Sequence, residues 1–330
     1  MATAQLQHYV PKFLLRRFGL GKKDRLFVFD KHTSTSFSSA ASKLAAKNNF
    51  YDFDFMGEPV AVEPLLGRIE SKAGEHIARI VKNRRLNVND SEERGELAAF
   101  FAIQMVRTPA VLATARDMFG RMEAWLRAEG APQDFFIPDP LVGEGENAER
   151  AMMARNICNA PNDYGPALIK KDWLLFQTDN KYPYLIGDHP LTMHNMIEKE
   201  GRGNLGVAVD GIELYFPLSP NLALGIWCPS HREMLMKSLQ SMDKLAAASN
   251  ASRDWGKAKS DVLAILEALQ TGEPLRSNPE NVEFFNSLQV STAERFVFSS
   301  ADDFSIVKEM IQTNPELRHG RRMNEATGKF

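Results

Sequence analysis

The sequence predicts an α+β fold: a helical N-terminal half packed on a mostly antiparallel sheet of about six strands, with C-terminal helices covering the sheet. Three observations lead there. Residues 61–128 repeat apolar side chains at helical spacing. Residues 173–227 hold short aromatic and β-branched runs parted by turn residues. Helical spacing then resumes between 231 and 290. Strands are expected at 25–31, 173–178, 183–187, 212–216, 222–227 and 295–299, all in one sheet. Residues 1–317 then form one domain, and 318–330 a loose polar tail.

In chain order, Pro11 suits the first position of a helix, where its missing N–H needs no partner. It also pushes Val10 extended. "QHYV" (7–10) is therefore an extended lead-in, and "PKFLLRRF" a short helix ending at Gly19. "RLFVFDK" (25–31) is a strand, and "SSAASKLAAKNNFYDF" a short helix running into an aromatic loop. In the helix over 61–82, Leu65, Ile69, Ile77, Ile80 and Val81 lie on or near one face. The next helix starts at Asp90 with Glu93 three residues on, as in a capping box. Thr108 and Pro109 break the helical run and cap a third helix that ends at Gly130. Residues 130–148 read as a loop, followed by a helix near 147–158. Two strand pairs follow, turned at "TDNK" and "SPN". Helices near 231–248, 255–271 and 279–290, the strand "RFVFSS" and the helix "DDFSIVKEMIQT" complete the chain.

Composition narrows the function. The 330 residues, 44% hydrophobic, are enough for a full core. Forty Lys and Arg balance 42 Asp and Glu, which argues against broad coating of nucleic acid and leaves room for a local basic groove. Two cysteines, Cys158 and Cys228, provide neither a disulfide framework nor a paired-cysteine zinc site. The longest strongly apolar run, "LAAFFAIQMV" (97–106), falls short of the roughly 20 residues a membrane span needs. No signal peptide is expected, and the expected location is the cytoplasm.

Candidate chemistry comes from polar residues in apolar settings. At 100° per residue, Leu97, Phe100, Ile103, Gln104 and Arg107 share one helical stripe. A buried guanidinium needs a carboxylate, backbone carbonyls or an anionic ligand. Arg107 is thus either a clamp at the helix kink or a ligand contact. Asp188 and His189 end the strand "YLIG" before Pro190, where Asp188 either caps the turn or serves a site. His8 is either a packed histidine or a general acid–base. Glu70 follows Ile69 and can reach a buried arginine. His32, His76, His194, His231 and His319 have no partner at metal-ligand spacing. Metalloprotease, P-loop and α/β-hydrolase motifs are absent.

Six stretches have a common look: "QHYVPKFLLRRF", "KNNFY", "FFAIQMVRTP", "YLIGDHPL", "YFPLSP" and "NVEFFNSLQVSTAERFVFS". On these the chain resembles the bacterial domain-of-unknown-function family numbered 4238, over roughly residues 5–300. The family label carries no assigned reaction. The resemblance implies a single unit with motif positions at His8, Pro11, Gln104, Arg107, Pro109, Asp188 and Pro190. His189 stands where the family pattern leads one to expect a small polar residue.

Two functional readings follow. In the first, the N-terminal segment packs against the Arg107 helix and the Asp188 turn, making one polar pocket of a phosphoester hydrolase, a nuclease or nucleotide hydrolase. His8 is its general acid or base, Gln104 and Arg107 hold the phosphate, and Asp188 with Glu70 holds a divalent cation or orients His8. The residues fix no metal; Mg²⁺ and Mn²⁺ are the cations this reading admits, and a nucleotide or nucleic acid its partner. In the second, the protein is a non-enzymatic binding or regulatory protein. The same residues are then a structural polar network, with Arg107 and Asp188 an internal ion pair. An open cleft favours the first reading and a sealed core the second.

Overall fold

The computed structural model describes residues 6–132, 145–197, 204–248 and 256–322. The chain begins with strand β1 (Leu6–His8), helix α1 (Lys12–Leu15) and a 3-10 turn (Arg16–Phe18). A hairpin of β2 (Arg25–Asp30) and β3 (Thr35–Ala40) follows, then a 3-10 turn (Ala41–Lys43), β4 (Ala46–Asn48) and a small hairpin of β5 (Phe53–Phe55) and β6 (Glu58–Val60). Helices α2 (Glu63–Asn83), α3 (Ser91–Val106), α4 (Pro109–Ala128), α5 (Gly145–Asp163) and α6 (Gly165–Ile169) come next. Strands β7 (Asp172–Gln177), β8 (Ile186–Gly187), β9 (Thr192–His194), β10 (Glu213–Ser219) and β11 (Leu222–Trp227) lead into α7 (Pro229–Ala248) and α8 (Gly256–Thr271). The last elements are β12 (Leu275–Arg276), α9 (Pro279–Thr292), β13 (Phe296–Ser299), α10 (Ser305–Thr313) and a 3-10 turn (Pro315–Arg318).

The class is α+β, but the six expected strands do not share a sheet. Among the described residues they divide between a five-stranded sheet, β12-β7-β11-β10-β9, and a four-stranded sheet, β3-β2-β13-β8. The expected hairpin at "TDNK" does not form. Residues 183–187 leave β7 because two amides of α9 take their backbone groups. Asn286 Oδ1 accepts from Leu185 N at 2.7 Å, Asn286 Nδ2 donates to Pro183 O at 3.1 Å, and Gln289 Oε1 accepts from Gly187 N at 2.8 Å. Gly187 makes the approach possible, since a Cβ there would lie 3.0 Å from both Ala293 Cβ and Gln289 O. The "SPN" hairpin of β10 and β11 forms as expected.

Burial of the five-stranded sheet follows from its side chains. All seven residues of β10 are buried, the pattern of a strand covered on both faces. Alternation sends its neighbours opposite ways. Phe216 packs on Phe100 and Phe101 of α3, while Tyr215 packs on Phe284 and Phe285 of α9. One apolar cluster runs from Tyr9 and Leu14 through Phe100 and Ile157 to Phe216 and Phe298. In the four-stranded sheet, Phe29 and Val297 turn to a second cluster with Phe304, just before α10, and Val307 and Ile311 of α10.

Asp90 accepts from Glu93 N at 2.9 Å and so caps α3, as its spacing predicts. α3 packs against α2, α5 and α6 and buries nine of its residues, Gln104 among them. It meets α4 at a 50° bend over Arg107 and Thr108. On α2 the inward residues are Leu66, Ala73, Ile77 and Ile80, with Leu65 only half-buried. The helix expected in 38–48 is only the turn Ala41–Lys43. Its flanks are drawn into strands because β2 and β1 offer backbone partners to β3 and β4. Of the loop expected at 130–148, residues 133–144 lie outside the described residues. The tail expected to be loose is held as far as Arg322, which pairs with Glu294 at 2.7 Å; residues 323–330 lie outside the described residues. Among the described residues no single helix is long and apolar enough to cross a membrane.

Candidate functional site

Residues 6–10 are bound into the protein by groups that arrive much later in the chain. β1 pairs antiparallel with β4, and Tyr9 N donates to Ala45 O at 2.9 Å. In an extended segment neighbouring side chains point opposite ways. Gln7 turns inward and is fully buried. Its Oε1 accepts from Tyr51 N and its Nε2 donates to Asp52 Oδ1, both at 2.7 Å. His8 turns outward and is half-buried, its Nε2 3.3 Å from Ser42 O. Burial lowers the pKa of His8, and Lys12 adds to that, against the Ser42 bond and Glu70.

Gln104 and Arg107 are both fully buried and grip the backbone of this segment. Gln104 Nε2 donates to Tyr9 O at 2.9 Å. Arg107 Nε donates to Tyr9 O at 3.1 Å and Nη2 to His8 O at 2.8 Å, while Nη1 lies 2.7 Å from Glu70 Oε1. Burial works against the charge of Arg107. Glu70, Tyr51 and Glu63 outweigh it and hold the pKa above its ordinary value. Tyr51 closes the ring by donating its hydroxyl to Arg107 O at 2.9 Å. Glu63 shares the neighbourhood. Burial and then Glu70 raise its pKa, and its Oε2 is enclosed without a hydrogen-bond partner.

Burial raises the pKa of Tyr9 and the charge of Asp188 adds to that, although Asp188 makes its hydrogen bonds elsewhere. It is 1% exposed, and its carboxylate accepts from the backbone N–H groups of Glu294 (2.6 Å), Arg295 (2.9 Å) and Phe296 (2.9 Å). Those bonds tie β8 to the start of β13. Burial raises its pKa to about 6, against the three N–H bonds and nearby Lys31. Arg107 and Asp188 thus form no ion pair with each other; Glu70 is the partner of Arg107. The expected site residues make their bonds in two groups. Gln104, Arg107 and Glu70 meet the backbone of His8 and Tyr9, the His8 ring sits at the edge, and Asp188 belongs to another junction. Gln7, Tyr51 and Glu63 join the first cluster without having been expected there. The strict alternation of an extended segment is the signal that separates Gln7 from His8.

His189 links the two junctions, with its Nδ1 2.6 Å from Thr108 Oγ1 at the α3–α4 bend. Desolvation lowers its pKa to about 4. Between pH 4 and 6.5 the unfolded chain then binds more protons at this group, so the group favours folding increasingly up to pH 6.5. Asp188, raised to about 6, acts in the opposite sense between 3.8 and 6. His189→Asn removes the first effect and keeps the second. Its stability relative to the native chain is expected to improve as pH falls from 6.5 to 4, read from urea midpoints across that range. A constant difference would show that the ring titrates normally.

One group of three candidate metal ligands occurs among the described residues: His32, Glu294 and His319, none of them in the cluster above. A family model described as "Protein of unknown function (DUF4238)" matches residues 6–303. No curated protein and no solved structure matches the chain.

Proposed function

The chain belongs to the DUF4238 family of proteins of unknown function, and from that premise we propose that it is a non-enzymatic binding or regulatory protein in which the buried polar residues fix the fold. One observation carries this reading: Arg107 spends Nε and Nη2 on the backbone oxygens of Tyr9 and His8, and Nη1 lies 2.7 Å from the carboxylate of Glu70. A phosphate would have to displace the backbone carbonyls of His8 and Tyr9 from these nitrogens. Asp188 supports the same reading, because three N–H bonds in a dry setting leave little of its carboxylate for a hydrated Mg²⁺ or Mn²⁺. A surface suited to binding runs along α4, which buries only Ala110. Met118 and Met122 recur on it one turn apart and are 43% and 37% exposed. A bacterial, cytoplasmic setting belongs to the same proposal, and the two free cysteines are in keeping with it.

The test is hydrolysis of nucleotides, RNA and DNA, with and without Mg²⁺ or Mn²⁺. The expected result is no turnover above buffer. His8→Ala is expected to fold with a stability within about 0.5 kcal/mol of the native chain. Turnover that His8→Ala lowers by roughly 10²–10⁴-fold, with the fold intact, would overturn the proposal.

A second reading, the phosphoester hydrolase, is favoured by Glu63. Its Oε2 is enclosed without a hydrogen-bond partner and burial raises its pKa, while the neighbouring Glu70 is 25% exposed and paired with Arg107. Two carboxylates in such different settings can divide acid and base roles beside the half-buried His8. In that case Glu63→Gln removes turnover as well.

A further inference from the structure

A second cluster of side chains lies far from the Arg107 clamp, where the turn after β2, the junction of α9 with β13, and the segment after α10 come together. One ring nitrogen each of His32 and His319 and one carboxylate oxygen of Glu294 lie within 4.8 Å of one another. The two imidazole rings are 4.6 Å apart between centroids. Residues 32 and 319 share no sequence spacing, so only the fold assembles them.

The backbones that carry these ligands are tightly held. Arg318 Nη1 donates to Ser34 Oγ at 2.7 Å and to Lys31 O at 3.2 Å, lacing the β2–β3 turn to the C-terminal segment. The fully buried Lys31 reaches back, its Nζ donating to His319 O at 3.3 Å and to Ala293 O at 2.6 Å, one residue before Glu294. His32 N donates to Asp30 Oδ1 at 3.0 Å, and Glu294 N donates to Asp188. Fixed backbones with exposed imidazoles are what a metal site needs: the ligands are placed, and the rings still turn to close the last fraction of an ångström.

We propose that His32, Glu294 and His319 bind one divalent transition-metal ion, with Zn²⁺ the best match to the ligand set. Two imidazoles and one carboxylate suit Zn²⁺, whereas Mg²⁺ and Ca²⁺ take oxygen ligands. Bonds of about 2.0–2.1 Å bring ligand atoms closer than the present upper separation, so the rings rotate inward on binding. Arg322 and Gly320 already hold Glu294: Nη2 lies 2.7 Å from Oε1, Nη1 2.9 Å from Oε2, and Gly320 N 3.3 Å from Oε2. Oε1 keeps one lone pair for the metal, and Arg322 orients the carboxylate from the outer shell. Three protein ligands leave a fourth position for water. The ion ties the C-terminal segment to the β2–β3 turn.

The test uses the full chain, stripped with chelator, desalted and titrated with Zn²⁺ at neutral pH by calorimetry. One equivalent is expected to bind. His32→Ala and His319→Ala are each expected to weaken it by at least about tenfold, and the double variant to abolish it. Both histidines are exposed, so the metal-free variants are expected to melt as the native chain does. Saturating Zn²⁺ is expected to raise the melting temperature of the native chain alone. Glu294→Gln also disturbs Arg322, so the histidine variants decide. No binding by the native chain, or unchanged binding by the double histidine variant, overturns the proposal.

Discussion

Arg107→Ala is expected to lower stability by about 3–5 kcal/mol, the usual cost of removing one partner from a buried charged network. The loss has three parts. His8 O and Tyr9 O lose their charged donor in the interior, where losing a buried hydrogen-bond partner costs roughly 1–3 kcal/mol, and Tyr9 O keeps only Gln104. Glu70 loses its counter-charge, at less cost because water reaches it. The missing side chain leaves a void against Tyr51, which the packed core fills only in part. Arg107→Lys keeps the charge but replaces a three-nitrogen fork with one ammonium that cannot serve His8, Tyr9 and Glu70 together. It is expected to recover less than half of the loss. Urea melts at pH 7 with an unchanged m-value check this. A loss under about 1 kcal/mol would mean that solvent reaches the guanidinium, and would restore Arg107 as a ligand-binding group.

Asp188→Ala is expected to be at least as damaging. Its carboxylate accepts three successive backbone N–H groups, of Glu294, Arg295 and Phe296. Alanine orphans all three at roughly 1–3 kcal/mol each, and it removes a negative charge near the buried Lys31. Burial holds the Lys31 pKa at about 8, with Asp188 the first of the charges opposing that shift. Asp188→Asn keeps one acceptor oxygen and turns an amide donor toward N–H groups, so an intermediate loss is expected. Melts give the size of the effect. Hydrogen exchange gives its place, with protection falling first at residues 294–296 and at β8. An alanine variant as stable as the native chain would show that water replaces the carboxylate.

The residues explain which parts of this were legible beforehand. The start of α3 was readable because Asp90 and Glu93 signal locally, and the α3–α4 bend because Pro109 does. The β10–β11 hairpin was readable from "SPN". Arg107 and Gln104 stood out because polar groups interrupted an apolar stripe. Of their partners, Glu70 was within reach from its place after Ile69, but the main-chain carbonyls of His8 and Tyr9 were not, because every residue carries a carbonyl. Asp188 was hidden for the same reason, since its partners are N–H groups 106 to 108 residues away. The division of the sheet was hidden because two side-chain amides, on Asn286 and Gln289, took bonds that a neighbouring strand would otherwise make. Helical or strand periodicity cannot report a bond between a side chain and a distant backbone.

The long sequence separations also set a timetable. Synthesis at about 5–20 residues per second means that Tyr9 waits roughly 5–20 s for Arg107, 98 residues later. Asp30 waits for Arg295 across 265 residues, on the order of a quarter to nearly a full minute. Throughout that interval β2 has its hairpin partner β3, but the edge that β13 will occupy stays open, with Phe27 and Phe29 in the unpaired strand. An open edge of this kind is where nascent chains pair with one another. The earliest strand of the four-stranded sheet is therefore among the last to be completed, and a chaperone that shields it is expected to raise the yield of folded protein more than one acting after release.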